Sequence, residues 1–354
     1  MKILQFVDVP WDSGLANYAL VLAQGLQAKG HKVFVSAVPG EKPWLKAKRL
    51  GLRTVPLATL KSLTALRRFL AEHKIQTLNA HTGSTHSLAV AAALGNRVAV
   101  IRTRSDARPV KRRVGGQFLF KHTQRVITAA DYIRQTYLQA VKLSPKKVVT
   151  IYQGLSLEEF SLQKFPGKPV LGIVARLDPV KGHRYLLEAL VLLKGLGTEV
   201  HLKIIGQEEN IKERELRVLA ERLRIDRQVD FAGYQKDIPR AMADCSIGVI
   251  ASTGSEAVSR VALEWMACGR PVIATRVGCL PEMVEEGKNG LLVPPRDAPA
   301  LARAIASLVY HPALIQSMGA AARTFVEKRF SFPEFVTRTE TVYKEAWDEV
   351  QCQR

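Results

Sequence analysis

The feature that most constrains this chain is an alternation that runs through it twice: a short apolar run, a turn, an amphipathic helical stretch, then another apolar run. It begins with Met1 to Val7, turns through a segment holding Gly14, and continues with apolar positions Leu15, Ala19, Leu22, Ala23 and Leu26 before Lys29-Gly30 stops the helix. Further strand-like runs fall at Lys32–Ala37, Arg53–Leu57, Gln76–Ala80, Arg97–Ile101, Arg125–Thr128 and Val148–Tyr152. Gly154 to Lys168, with Pro166 and Gly167, breaks the period. It resumes at Val170–Val174, Val200–Gly206, Gln228–Phe231, Ser246–Ile250 and Pro271–Thr275. Strands separated by helices predict α/β architecture, with parallel sheets covered on both faces. A chain of 354 residues exceeds the size at which a single core keeps growing, so two doubly wound, Rossmann-like domains are expected. Their bounds are residues 1–160 and 168–330; residues 331–354 form a last helix, with Phe335, Val342, Tyr343 and Trp347 apolar, able to dock on another surface.

Composition excludes several classes. The four cysteines, Cys245, Cys268, Cys279 and Cys352, have neither disulfide-framework nor metal-ligand spacing, and the start does not resemble a signal peptide. No apolar run approaches the roughly 20 residues of a membrane span. The expectation is a cytoplasmic protein, placed by its charge at the inner face of the cytoplasmic membrane. A net charge of +20 is either compositional bias or attraction to anionic partners. Nucleic acid is not expected, because the basic clusters are not interleaved with aromatic residues.

The residues that carry chemistry lie at strand-to-helix turns. Gly14 opens one such turn, without the further glycines of a dinucleotide fingerprint. Arg176 and Lys181 flank Asp178-Pro179 after the first strand of the second series, where a guanidinium and an ammonium can share one phosphate. Glu256 stands at the mouth of a helix read as Val258–Ala267, and Glu264 lies two turns into it. A rise of about 1.5 Å per residue separates the two carboxylates by roughly 10 Å. Between them the unpaired amides of Ala257, Val258, Ser259 and Arg260, at the positive end of the helix dipole, suit a phosphate. Gly206 ends the strand before a charged helix, and Tyr234 lies in the Gly233–Lys236 stretch expected to hold a base. The segment Arg102 to Gly116, holding Arg102, Arg104, Ser105, Arg108, Lys111, Arg112 and Arg113, has no regular period and reads as a basic loop toward an acceptor or a membrane. With the basic amphipathic piece Lys42–Leu50 it could hold anionic headgroups, each cation being worth about 1 kcal/mol at such a surface. His81 follows the preceding strand.

These residues resemble the retaining glycosyltransferases of family 4, of the lipopolysaccharide-core and envelope type, with the GT-B fold. The resemblance rests on Glu256 and Glu264 in a Glu-x7-Glu pattern and on Arg176 to His183 in an Arg-Leu-Asp-Pro-x-Lys-Gly-His pattern, with a looser match at Ser13-Gly14. It implies two domains facing a cleft, an acceptor domain first and a nucleotide-sugar domain second, and a last helix that crosses back to the first. It further implies that Arg176 and Lys181 bind the donor diphosphate, Glu264 the ribose and Glu256 hydroxyls of the transferred sugar. The chain departs from the pattern at Ser105, where relatives often have a histidine. His81, Arg102, Arg104, Ser105 and Arg108 are then the acceptor-side candidates.

The expected reaction is sugar transfer from a nucleotide-sugar, taken as uridine-diphosphate-linked, to an envelope lipid or lipopolysaccharide-core acceptor. No Asp-x-Asp occurs, so metal-independent catalysis without a cofactor is expected. The competing classes are an epimerase or hydrolase of nucleotide-sugars and a non-catalytic anion- or nucleic-acid-binding protein.

Overall fold

The computed structural model describes residues 1–11, 13–56, 60–108, 110, 115–162, 165–254 and 256–352. Within them the chain divides into two units, Met1–Gly154 with Phe332–Arg354, and Leu155–Ser331. The first carries strands β1 (Lys2–Phe6), β2 (Lys32–Ala37), β3 (Arg53–Pro56), β4 (Thr77–Ala80), β5 (Ala99–Arg104), β6 (Arg125–Thr128) and β7 (Val148–Thr150). Between them run helices α1 (Gly14–Ala28), α2 (Lys42–Arg49), α3 (Leu63–Glu72), α4 (Gly83–Ala93), α5 (Gly116–Lys121) and α6 (Asp131–Val141). Every described pairing is parallel, in the order β3-β2-β1-β4-β5-β6-β7. The order reverses between β1 and β4, the point at which such sheets open a crevice beyond their carboxyl ends.

The second unit repeats the plan with β8 (Val170–Val174), β9 (His201–Ile205), β10 (Val229–Gly233), β11 (Ile247–Ile250), β12 (Val272–Thr275) and β13 (Gly290–Val293). Its helices are α7 (His183–Gly195), α8 (Glu213–Arg222), α9 (Ile238–Met242), α10 (Arg260–Ala267), α11 (Leu280–Met283), α12 (Ala298–Val309) and α13 (Pro312–Arg329). The strand order is β10-β9-β8-β11-β12-β13, all parallel, and it reverses between β8 and β11. Packing explains why α10 sits over that reversal. Gly172 and Gly248 are register partners on β8 and β11, and a Cβ at either would stand 2.4 or 2.3 Å from the indole of Trp265. Two strands bare of side chains at this one register thus leave a trough for a fully buried tryptophan, which fixes the helix bearing Glu264.

The last helix, α14 (Phe332–Cys352), packs in the first unit. Tyr18 meets Phe335 edge-on at 5.1 Å, Asn79 donates to the Tyr343 hydroxyl at 2.6 Å, and Arg125 pairs with Glu349. The boundary between units falls at Gly154, earlier than the expected residue 160. The reason is local: Leu155 donates its N–H to Phe330 O at 2.8 Å and Phe160 is buried, so residues 155–160 belong with α13. Two further differences matter. Strand β5 extends through Arg104 where the sequence suggested a loop from Arg102, and α10 begins at Arg260 rather than Val258. No single helix among the described residues is long and apolar enough to cross a membrane, and all four cysteines are free.

Candidate active site

In the second unit, the loops that follow β8 and β11 lie side by side because their strands are neighbours. Thr253 donates its N–H to Val180 O at 2.8 Å and ties them together. After β8, Asp178 caps the single turn Pro179–Lys181 by accepting from Val180 N–H at 2.8 Å, and Asn210 donates to its other oxygen at 2.7 Å. Burial alone would raise the Asp178 carboxyl. The Val180 amide, the Asn210 amide and the cations Arg176 and Lys181 outweigh it and hold Asp178 below the ordinary carboxylate value. Arg176 is 47% exposed, 3.8 Å from Asp178 and 3.6 Å from Glu209, too far from either for a hydrogen bond, so its guanidinium can turn to a ligand. Behind the turn, burial pushes the imidazole of His183 down to about 4, and it is neutral at neutral pH.

Lys181 reaches across to the β11 loop, where its Nζ donates to Glu256 Oε1 at 2.5 Å. Ser252 Oγ donates to the same oxygen at 2.6 Å, and Glu256 is only 3% exposed. Glu256 Oε2 has no partner among the described residues, so both anchors hold one oxygen and leave the other for a ligand. Thr275 Oγ1 in turn donates to Ser252 O at 2.6 Å. The backbone of Glu256 is seated as firmly: Cys279 N–H donates to its carbonyl at 2.9 Å, and a Cβ on Gly278 would stand 1.9 Å from that oxygen. On the other side a Cβ on Gly182, whose φ is +72°, would strike Ala251 O at 1.9 Å. Both close approaches exclude any other residue.

Ser259 caps α10 in the left-handed region (φ 41°, ψ 54°), with its buried Oγ unpartnered. Ala262 N–H already turns back to Ser259 O, so the amides that lack a carbonyl one turn back are those of Arg260 and Val261. The open amides of the helix thus fall at the end of the expected stretch Ala257 to Arg260 and one residue beyond it. Glu264, buried on α10, accepts from Arg260 Nε at 2.7 Å; burial raises its carboxyl pKa, and Arg260 offsets part of that rise. Gly206 lies against Ala175, where a Cβ would stand 1.8 Å from the carbonyl, and donates to Gly233 O at 2.9 Å; its place is in joining two loops. Tyr234, 64% exposed, follows the edge strand β10, two strands from β8.

In the first unit, Gly14 opens α1 beyond β1, and Ser13 Oγ caps that helix by accepting from Ala16 N–H at 3.2 Å. His81 follows β4, the strand next to β1. It is fully buried; its Nε2 lies 2.8 Å from Gln5 Oε1 and 3.2 Å from Asn79 Nδ2, and its Nδ1 is buried without a partner. Burial first, and Arg102 second, push this imidazole down to about 3. The reading of Arg102 and Arg104 as loop cations is corrected. Both lie on β5 and are buried: Arg102 donates to Ala80 O at 2.9 Å, while Arg104 pairs with Asp106 at 3.1 Å and lies over the ring of Tyr137. Ser105 is buried with its Oγ unpartnered, and Arg108 is exposed. Residues 111–113 of the basic run lie outside the described residues.

Sequence reasoning brought Arg176, Lys181 and Glu256 to the right turns but missed Ser252, Asp178 and Asn210. The Asp178-Pro179 step was a legible capping signal; nothing local marks Ser252. Among the described residues no three His, Cys, Asp or Glu side chains group as a metal site would need.

The model of "Glycosyltransferase Family 4" matches residues 13–159, and that of "Glycosyl transferases group 1" matches residues 168–311. An uncharacterized glycosyltransferase of Methanocaldococcus jannaschii is 30% identical over 251 residues, covering 69% of this chain and 67% of that protein. A phosphatidyl-myo-inositol mannosyltransferase of Mycobacterium leprae is 27% identical over 364 residues, covering 95% and 94%. Among solved structures, Anabaena HepE in complex with UDP superposes with a TM-score of 0.85 at 20% identity, covering 98% of this chain and all of that one.

Proposed function

Given that the chain belongs to the glycosyltransferases, with a family 4 domain followed by a group 1 domain and the GT-B fold, we propose that its second unit binds a uridine-diphosphate-linked sugar and its first unit an acceptor carrying an anionic group. Transfer breaks the bond between the sugar's anomeric carbon and the diphosphate and forms one to an acceptor oxygen, with retention of configuration. Negative charge gathers on the departing diphosphate. Arg176, Lys181 and the Arg260 and Val261 amides meet that charge, without a metal or cofactor. An ammonium has three donors. Lys181 therefore keeps Glu256 and still bridges to a phosphate oxygen. Glu256 Oε2 accepts from a hydroxyl of the transferred sugar and Glu264 from the ribose, and the proton of the acceptor hydroxyl passes to the departing diphosphate oxygen.

The observation that carries this reading is the convergence of Lys181 and Glu256 where the strand order reverses, beside the open end of α10. The Anabaena structure, a complex with UDP, supports the choice of donor. Lys181→Ala is expected to lower kcat by about 10²–10³-fold, the usual loss for one charge-stabilising donor, measured where the variant is folded, and to lower Tm as well because the buried Glu256 carboxylate loses its cation. Chelator is expected to leave wild-type turnover intact; a requirement for Mg²⁺ or Mn²⁺ would overturn the metal-free part. Donor consumption with no acceptor present would instead mark a hydrolase or epimerase, and no consumption at all a binding protein.

Charge supports the acceptor side. The first unit holds 28 Lys and Arg against 11 Asp and Glu, net +17, and the second 24 against 21, net +3. Compositional bias would spread over both. Helix α2 adds a face fit for a membrane: Leu45 is 48% exposed, Lys48 lies 5.1 Å over Trp44, and Lys42 and Arg49 are exposed. The acceptor proposed is an envelope lipid or phosphorylated glycan, reached at the inner face of the cytoplasmic membrane. The mycobacterial relative, named as a phosphatidyl-myo-inositol mannosyltransferase, agrees with it.

A further inference from the structure

The amino ends of the first sheet hold a cavity that the proposed reaction does not use. Its volume is about 480 Å³, and it opens where β1, β4 and β5 begin, between the end of α3 and the last turns of α14. The floor is apolar, made by Leu70, Ile75 and Val98, all buried. One wall is the half-buried indole of Trp347. Around the rim stand Lys2, Lys74 and Arg97, drawn from three separate segments of the chain, and none has a carboxylate partner among the described residues. No acid lines the cavity. Three unmatched cations converging on one recess therefore set up a local positive field that an anion would relieve.

The cavity also has features that a bare anion does not need. An indole beside an apolar floor offers a flat, weakly polar surface to the C–H face of a ring. Gln76 spends its Oε1 on the Lys2 N–H and keeps its Nε2 unbonded, and Asn96 spends its Nδ2 on Ala92 O and keeps its Oδ1 unbonded, among the described residues. One donor and one acceptor thus remain for hydroxyls. We infer that this cavity is a second, non-catalytic site for an acidic sugar, with the ring on Trp347, the phosphate or carboxylate among Lys2, Lys74 and Arg97, and hydroxyls on Gln76 and Asn96. Strand geometry separates it from the candidate site. The cavity lies at the amino ends and His81 at the carboxyl end of the same sheet, about 13–17 Å apart for strands of this length. A recessed pocket suits a glycan and not a membrane plane, which α2 meets with a protruding apolar residue.

The test measures binding only, so it stands or falls apart from the transfer reaction. Glucose 1-phosphate is titrated by calorimetry into the full chain with UDP in excess. One saturable site is expected, weakened at least tenfold in Lys74→Glu/Arg97→Glu and several-fold in Trp347→Ala, and unchanged in the charge-matched control Lys42→Glu/Lys48→Glu. Glucose and inorganic phosphate should each bind at least tenfold more weakly than glucose 1-phosphate. Absence of saturation, equal loss in the control variant, displacement by UDP, or phosphate binding as tightly as the sugar phosphate would each overturn the inference. Thermal unfolding of every variant identifies any loss caused by misfolding; if Trp347→Ala is unfolded, Trp347→Phe replaces it, with binding expected to persist at reduced strength.

Discussion

At the scale of single residues, the orientation of Glu256 is the most informative detail. Ser252 and Lys181 hold the same carboxylate oxygen, so Ser252 acts on a ligand only through Glu256. Ser252→Ala removes one hydrogen bond to a charged group, worth about 1.5–3 kcal/mol. It should lower kcat/KM for the nucleotide-sugar by roughly tenfold or more while leaving the affinity for UDP alone unchanged, and Ser252→Thr should restore most of the loss. Equal weakening of UDP would show that the hydroxyl serves the whole loop and not the sugar end. Ser252 was invisible in the sequence because a serine after an apolar run is ordinary. Only the pairing of β8 with β11 makes it a neighbour of Lys181. Arg102 and Arg104 were misread for the converse reason. Charged residues at alternate positions look like loop, yet here the backbone oxygens of Ala80 and Thr103, the carboxylate of Asp106 and the ring of Tyr137 let a strand bury them.

At the scale of elements, the alternation of apolar runs and helical periods was enough to place nearly every strand, because parallel strands buried on both faces leave an uninterrupted apolar signature. The start of α10 was not legible, since Val258 continues the apolar period and nothing announces that Ser259 takes a left-handed conformation. Nor could the sequence say that two glycines on adjacent strands share one tryptophan. That contact makes the position of α10 a property of the sheet beneath it. Gly248→Ala should therefore shift Trp265, cost about 1–3 kcal/mol as overpacking does, and impair donor binding as well, seen as a lower Tm together with a higher KM for the donor. A lowered Tm with unchanged donor KM would show that the helix tolerates the displacement.

For the whole molecule, the net charge of +20 divides unequally between the two units, which supports the proposed anionic acceptor and membrane contact of the first. Sedimentation with phosphatidylglycerol vesicles at low salt should carry the protein down, Lys42→Glu/Lys48→Glu should reduce it several-fold, and about 1 M salt, where the Debye length is near 3 Å, should release it. Equal sedimentation with uncharged phosphatidylcholine vesicles would remove the membrane part of the proposal.

The helix that returns to the first unit also sets an order in time. Residues 155–331 are contiguous, so their core needs no segment made later. The first unit does need one, because Tyr343 and Phe335, which fill the space beside Asn79 and Tyr18, lie on that late-made helix. During synthesis, then, the half of the protein that is translated first waits with one flank of its sheet uncovered until α14 has been made and has emerged, and it is the half that needs protection from other nascent chains.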